Sequence, residues 1–473
     1  MFWQSRPGNA DTNIFVLDNT GQRTYREIFE LADNLFSSLD RGVVAIICEK
    51  NSSTIIGYVG ALRAGLVPLL LDSTSDRASL LDLIERYQVE YVWAGNHITP
   101  DGYDEVTCLG PQIPATQKLW KRRSTSDKRG INPELAALIP TSGSTGDPKS
   151  VRLSQQNLAS VTSCIADYLG LDTTRRAISL LPLQYSYGLS VLNTIMEARG
   201  SYVITDLSPV QRDFWDLVIT KKVTDFSAVP FIFDTVKRMR FSQEILDQLE
   251  CVTQAGGHLS PAVTKHFRTL FALHNIAYFT MYGATEASPR IAYLHPDDAE
   301  ARHGSVGKPI AIGSVTLEAI DPNSSEGELV YRGPNVCLGY AMTRDDLAKG
   351  DEFAGVLHTG DVARLDDDGF IYVTGRLKRF VKIHGVSVNL EHVESVIRDG
   401  GFDCHLSGRE NRISVVSQHD YGEQILHFAK KRFTFHPSVW RSLVVDQIPR
   451  TSSDKVDYAS LDAMTDGDIH ASG

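Results

Sequence analysis

Apolar runs and amphipathic stretches alternate through the first hundred residues, and few folds accommodate that order. "TYREIFELADNLFSSL" (24–39) carries apolar residues at helical spacing. "VVAIIC" (43–48) reads as a buried strand, "STIIGYVGALRAG" (53–65) as a helix ended by Gly65, and "LVPLLLD" (66–72) as a second strand. A helix in "RASLLDLIERYQ" and a strand in "YVWA" continue the series. Strands of this kind, separated by helices, predict a parallel sheet with crossover helices. The alternation resumes from 175 to 280 through "AISLLPL", "SYVITD", "DFSAVPF" and "CVTQAGG". Between the two series, "QKLWKRRSTSDKRGINPE" (117–134) is polar and basic and reads as a connector.

The texture changes near residue 304. Short strand-like runs, "GSVTLEAI", "GELVYRG" and "GFIYVTG", are separated by turn signals such as "DPNSSEG" and "DDDG". They predict a small β-rich subdomain. After Arg376 comes a short segment of mixed α/β character. The expected class is therefore α/β: a large N-terminal domain over 1–376, built of parallel α/β subdomains plus a small β-rich one. A small α+β C-terminal domain over 377–473 follows. A length of 473 residues suits such a two-domain enzyme as well as three domain-sized units.

Composition excludes some functions. With 47 basic against 58 acidic residues the formal net charge is −11, the wrong sign for a nucleic-acid binder. A few local donors still suffice for a nucleotide. The six cysteines are scattered without metal-ligand spacing, which predicts buried thiols in a reducing compartment. There is no apolar signal core at the start and no run of about 18 apolar residues, so the expectation is a cytoplasmic protein without a membrane span.

The stretch "PTSGSTGDPKSVRLS" (140–154) carries chemistry. Gly143 and Gly146 allow backbone angles that other residues avoid. Thr141, Ser142, Ser144 and Thr145 offer hydroxyls, and Lys149 offers a positive charge. Backbone N–H groups, hydroxyls and one lysine describe a loop that wraps an anion, phosphate above all. A flexible Gly/Ser surface loop has the same composition. Context favours the first reading. "LAALIP" (135–140) leads in as a strand, and "SQQNLASVTSCIADYLG" (154–170) follows as a helix with Ser154 as N-cap. The spacing is not that of a Walker A loop.

Three further stretches matter. "MYGATEAS" (281–288) follows a strand-like run and offers the aromatic face of Tyr282, the turn glycine Gly283, the hydroxyl of Thr285 and the carboxylate of Glu286. A carboxylate beside a phosphate-binding hydroxyl suits magnesium, which takes a carboxylate with phosphate oxygens and water; a strand-end turn with a solvated glutamate is the plainer reading. "HTGDVARLDDDGFIYVTGRLKRFVKIHG" (358–385) contains Asp361 and Arg376, a pair suited to ribose hydroxyls and phosphate or to an ordinary hairpin ion pair. "QIPRTSSDKVDY" (447–458) is a polar loop carrying Lys455, which composition alone leaves as a surface lysine.

Together, in this order and spacing, these motifs resemble the adenylate-forming superfamily of acyl- and aryl-CoA synthetases, peptide-synthetase adenylation domains and luciferases. The resemblance runs from "TYREIFELADNL" to "RTSSDKVDY". It implies ATP and Mg2+ as cofactors, and a role for each matching residue. Thr141, Ser142, Gly143, Ser144, Thr145, Gly146 and Lys149 would hold the β- and γ-phosphates. Gly256 and Gly257 would form the turn beside adenine and the acyl pocket, and Tyr282, followed by Gly283, would stack on adenine. Thr285 would meet the α-phosphate and the substrate carboxylate, with Glu286 on magnesium. Asp361 would bind ribose and Arg376 the ribose and phosphate region. Lys378 would be the hinge to a mobile C-terminal domain, Gly385 would reach the thiol tunnel, and Lys455 would be the catalytic lysine of adenylation.

The chain departs from the family pattern at Ser150, where glycine is usual, at Ser154-Gln155, and at Asp454, where glycine usually precedes the catalytic lysine. Asp454 and the short C-terminal domain motivate one alternative, a degenerate homologue that binds nucleotide or acyl groups without turnover; an adenylating ligase with a non-thiol acceptor is another. "PLQYSYGLSVLNT" (182–194) lines the acyl pocket in the family. Gly188 stands where amino-acid-activating relatives place an aspartate, so a non-amino carboxylic acid is expected. Tyr185 and Tyr187 are either pocket or packing residues. The expected acceptor is the phosphopantetheine thiol of a carrier protein, toward which "FVKIHG" leans, or CoA.

Overall fold

A computed structural model describes residues 1–6, 10–19, 21–96, 98–106, 117–124, 130–141, 149–239, 241–322, 324–384, 386–433, 435–450 and 456–467. The chain divides into two compact units. The first takes Met1–Thr141, Pro148–Ser314 and Tyr331–Leu357; the second takes Ser142–Asp147, Val315–Val330 and His358–Gly473.

The first unit holds two large sheets. In one, the strands Cys251–Gln254, Asp225–Ala228, Arg176–Ile178, Ser201–Val203 and Ile14–Asp18 lie side by side, and Ala277–Tyr282 continues the parallel run beyond Cys251–Gln254. In the other, Leu135–Thr141, Val67–Asp72, Val43–Cys48 and Tyr91–Gly95 are parallel neighbours. The expected strand–helix alternation is thus realised twice.

Burial explains why these strands read as continuous apolar runs. Along Val43–Cys48, Val44 and Ile46 join a core shared with Phe15, Ala177 and Tyr202 of the other sheet. Val43, Ala45 and Ile47 face the opposite way, against Leu80 and Ile84. Side chains alternate across a strand, so a sheet covered on both faces needs apolar residues at both parities. The helices Tyr25–Phe36, Ser52–Arg63, Gln155–Tyr168 and Ser186–Ala198 fill the layer between the sheets. Caps start them: Thr24 and Glu27 form a reciprocal capping box, and Ser154 does the same with Asn157.

Two expectations are corrected. The connector expected over 117–134 begins with a strand, Gln117–Arg122, antiparallel to Tyr91–Gly95. The second concerns the phosphate-loop motif, expected between a strand and a helix. It joins two antiparallel strands instead, Leu135–Thr141 and Lys149–Ser154, and the helix starts only at Gln155. The motif is therefore the connection of a hairpin.

The second unit contains most of a four-stranded sheet, ordered Ser314–Ala319, Gly327–Arg332, Val356–Leu365 and Ile371–Arg376, as the strand-like runs after 304 predicted. Farther along, the hairpin Phe380–Ile383 and Val386–Asn389 leads to a three-stranded sheet of His405–Arg409, Arg412–Ser417 and Trp440–Val444. Helix Leu390–Asp399 packs Leu390, Val393 and Ile397 onto Leu406, Ile413 and Val415. Inside this core, Glu394 accepts from Arg379 Nη2 at 2.9 Å, Tyr458 Oη at 2.7 Å and the Leu406 amide at 2.8 Å, and His405 Nδ1 lies 3.1 Å away. Among the described residues, no helix is long and apolar enough to cross a membrane.

Candidate active site

Thr141 and Lys149 face each other across the hairpin, and the Thr141 hydroxyl donates to Lys149 O at 3.3 Å. The residues between them, Ser142, Gly143, Ser144, Thr145 and Gly146 included, lie outside the described residues, as do Gly385 and Lys455. Lys149 aims its ammonium at the ring of Tyr340, with Nζ 3.4 Å from the centroid. The same tyrosine donates its hydroxyl to Glu286 Oε1 at 2.8 Å. Burial, and then the Glu286 charge, hold the Tyr340 hydroxyl well above the usual tyrosine range, so it keeps its proton. Neither Lys149 nor Glu286 belongs to an ion pair among the described residues.

Ser150 is fully buried, and its hydroxyl lies 3.0 Å from that of Tyr87. The departure from glycine at this position therefore has a partner in the fold.

Thr285 and Glu286 open a short 3-10 turn, Thr285–Ala287, just past the strand Ala277–Tyr282. The Thr285 and Ser186 hydroxyls lie 2.9 Å apart, which ties the turn to the start of helix Ser186–Ala198. Cys337 donates its amide to Glu286 O at 2.8 Å. Gly283 is required by contact: a Cβ there would stand 1.7 Å from Pro289 O. Tyr282 is half-buried at the strand end.

Gly256, with φ +88°, approaches Tyr185 closely; a Cβ would meet its hydroxyl at 2.5 Å. Gly257 faces Pro230. Tyr187 is buried and hydrogen-bonded, with its hydroxyl 2.7 Å from Thr253 Oγ1. Gly188 packs against backbone, where a Cβ would lie 2.3 Å from Pro182 O. A cavity of ≈ 20 Å³ opens behind Tyr187, lined by Ser190, Thr194, Asp225, Thr253 and Arg290 among others. Gly188, Tyr185 and Gly256 are not among its lining residues.

In the second unit, Asp361 and Arg376 are cross-strand partners, with Asp361 Oδ1 2.9 Å from Arg376 Nε. Asp361 is buried while Arg376 is exposed. Lys378 lies in the short turn Leu377–Arg379 that follows.

Three residues that sequence reasoning did not single out belong to this geometry: Tyr340, Ser186 and Arg290. Tyr340 lies 54 residues from Glu286 along the chain, and no local motif marks it. Ser186 sat inside the quoted "YSYG" stretch, where two tyrosines drew the attention. A hydroxyl one residue before a pocket tyrosine was the available signal.

A lysine and a glutamate on one tyrosine, neither in an ion pair among the described residues, are side chains of the types that meet phosphate oxygens and magnesium. The chain belongs to the AMP-binding enzyme family, whose model matches residues 2–341. It is 25% identical over 469 residues to the 2-succinylbenzoate–CoA ligase of Geobacillus sp. (strain WCH70), covering 94% of this chain and 93% of that one. It is 27% identical over 343 residues to the oxalate–CoA ligase of Arabidopsis thaliana, covering 68% and 66%. Among solved structures it resembles Bacillus subtilis O-succinylbenzoate coenzyme A synthetase (MenE) in complex with ATP and magnesium ion, with a TM-score of 0.76, 21% identity and coverage of 94% and 95%. ATP-bound MatB from Rhodopseudomonas palustris gives a TM-score of 0.77 at 21% identity, covering 97% and 96%. The adenylate-forming resemblance and the α/β class are thereby borne out.

Proposed function

We propose that this chain activates a non-amino carboxylic acid with ATP and passes the acyl group to a thiol. The observation that carries the reading is the Lys149–Tyr340–Glu286 arrangement: a cation and an anion held on one side chain, neither in an ion pair among the described residues. A metal–triphosphate complements both. Lys149 would take phosphate oxygens as a point charge, and Glu286 would hold magnesium, a cation that binds through few protein carboxylates. Magnesium supplies charge neutralisation at the phosphates.

The chain's own residues supply the rest. Thr285, held by Ser186, orients the acid carboxylate for attack on the α-phosphorus. A P–O bond forms to the carboxylate oxygen, the α–β P–O bond breaks, and pyrophosphate leaves with the electron pair. Lys455 offsets the charge that develops there. Asp361 and Arg376 serve the ribose side, and Tyr282, Gly256 and Gly257 the adenine side. In the second half-reaction a thiol displaces AMP from the acyl-adenylate. Lys378 is the hinge and Gly385 the thiol-facing residue of a mobile domain over 377–473. The names of the relatives, as CoA ligases, support CoA as the thiol donor; carrier-protein phosphopantetheine presents the same terminal arm. The compartment is the cytoplasm.

An α-amino acid is disfavoured. The cavity's one carboxylate, Asp225, is already paired with Arg175. A buried ammonium would find no counter-charge and would face Arg290 instead.

Pyrophosphate release with Mg·ATP and a panel of carboxylic acids tests the reading. Acid-dependent release, lost in Lys455→Ala, is expected; ATP binding with no release from any acid would sink it.

A further inference from the structure

The cavity behind Tyr187 contains an unspent charge. Arg290 is 1% exposed and lines the cavity. Its guanidinium carbon lies 5.4 Å from the centroid of the Tyr187 ring. The neutral Tyr168 side chain hydrogen-bonds to it, but among the described residues its Nε has no hydrogen-bond partner and no carboxylate pairs with it. The other ionised group on the cavity wall, Asp225, is committed elsewhere: Arg175 Nε and Nη2 hold its two oxygens at 2.9 and 2.6 Å. Removing a guanidinium from water without a counter-ion costs several kcal/mol. Structural arginines in this protein avoid that cost. Arg152, equally buried, donates to four backbone carbonyls and to Glu352. Arg199, buried as well, donates to three carbonyls and pairs with Asp11. Arg290 is the exception among these, and it stands on a cavity.

We propose that Arg290 is the counter-ion for a second carboxylate on the substrate, so that the acid activated is a compact dicarboxylic acid. The inference rests on the adenylation proposed above and specifies its substrate class. The placement suits two carboxylates on one molecule. Thr285, the group proposed for the reacting carboxylate, is bonded to Ser186; Tyr187, the next residue, carries Arg290 on its ring. A volume of ≈ 20 Å³ exceeds the roughly 10–15 Å³ that one water needs, and so admits a small head group rather than an acyl chain. The surrounding hydroxyls reinforce the field. Burial raises the Tyr168, Tyr185 and Tyr187 hydroxyls, and Arg290 pulls each of them back. Neutral donors and acceptors thus surround the cation while its full charge remains for a ligand.

The test compares matched acids in the pyrophosphate assay: succinate with butyrate, glutarate with valerate, phthalate with benzoate. The full-length chain is expected to prefer the diacid in at least one pair by about tenfold or more in kcat/KM, the worth of one charge-assisted hydrogen-bonded pair. Arg290→Met should lower that preference toward unity, mainly through KM, and Arg290→Lys should restore part of it. Release with monoacids only, or a preference unchanged in both variants, would overturn the inference and leave the adenylation reading standing. Silence with every acid while ATP still binds would overturn both. Should Arg290→Met fail to fold, the wild-type pairs and Arg290→Lys decide the matter alone.

Discussion

The Tyr340 hydroxyl donates to Glu286 Oε1 at 2.8 Å while the Lys149 ammonium rests on the face of the same ring. One side chain thereby engages two opposite charges at once. The strand Gly339–Ala341 positions it by pairing with Lys149–Ser154, with Tyr340 opposite Val151. Tyr340 orients both groups and consumes neither charge.

Removing only the hydroxyl isolates its contribution. Tyr340→Phe keeps the ring under Lys149 and frees Glu286 Oε1. We expect kcat/KM for ATP to fall roughly tenfold, in keeping with about 1–2 kcal/mol for a hydrogen bond to a charged group. The magnesium concentration for half-maximal pyrophosphate release should rise. An unchanged magnesium dependence would count against the positioning role. Because the Tyr340 hydroxyl stays protonated, no new limb should appear in the pH–rate profile of the wild type between pH 6 and 9.

Lys455 is assigned to adenylation and not to thiol transfer. Lys455→Ala should lower pyrophosphate release by about a hundredfold or more, the usual loss for a charge-stabilising donor. Thioester formation from a chemically prepared acyl-adenylate should fall far less. Equal losses in both half-reactions would place the lysine differently.

Asp361 should read the sugar. An ionised carboxylate accepts at several positions, the chemistry that a pair of sugar hydroxyls asks for, and Asp361 also lies 2.9 Å from Arg376 Nε. Asp361→Ala should raise KM for ATP by about 10- to 100-fold. It should also erase most of the discrimination against 2′-deoxy-ATP, read from competition between the two nucleotides. Retained discrimination in the variant would assign ribose recognition to another group.

Glu394 gives the second unit an acid limit. Burial alone would raise its pKa, but His405, Arg379 and the Leu406 amide outweigh burial and leave the carboxyl below its ordinary value. A depressed folded pKa means that the group's stabilisation is complete above its unfolded pKa and is lost as pH falls through the folded one. Stability of this unit should therefore decline below about pH 4.5. Glu394→Gln should cost about 3 kcal/mol at neutral pH, as breaking a buried pair does, and should flatten the acid decline. Hydrogen exchange at the Leu406 amide, which donates to Glu394, reports both effects.

Much of the fold was legible because the strands of a doubly covered sheet announce themselves as apolar runs. Val43–Cys48 and Val67–Asp72 coincide with the apolar runs quoted for them to within a residue. The strand Lys149–Ser154 was hidden for a physical reason. Two of its fully buried side chains, Ser150 and Arg152, are polar, and their partners lie in other elements: Tyr87, Glu352 and the carbonyls of residues 338–350. Gln117–Arg122 was hidden by its basic residues, since Lys118 pairs with Glu105 and Arg122 with Glu85 outside any local pattern. The motif-bearing residues could be named from sequence because loop chemistry is local. Tyr340 and Arg290 could not, because what marks them is a cation against a ring, Lys149 on Tyr340 and Arg290 on Tyr187, a contact that only folding creates.

The hairpin that carries the phosphate motif has a consequence for how this chain can vary. Side chains on a strand alternate with a period of two, so register and chemistry are a single variable there. Slipping Lys149–Ser154 by one residue would, according to its direction, either bring the Ser150 hydroxyl to the Tyr340 ring or drive the Lys149 ammonium toward Tyr87, into the interior. Insertions and deletions within 149–154 are thus equivalent to replacing the lysine itself. A change in the number of residues in this strand should therefore abolish ATP turnover as surely as a substitution of Lys149 does.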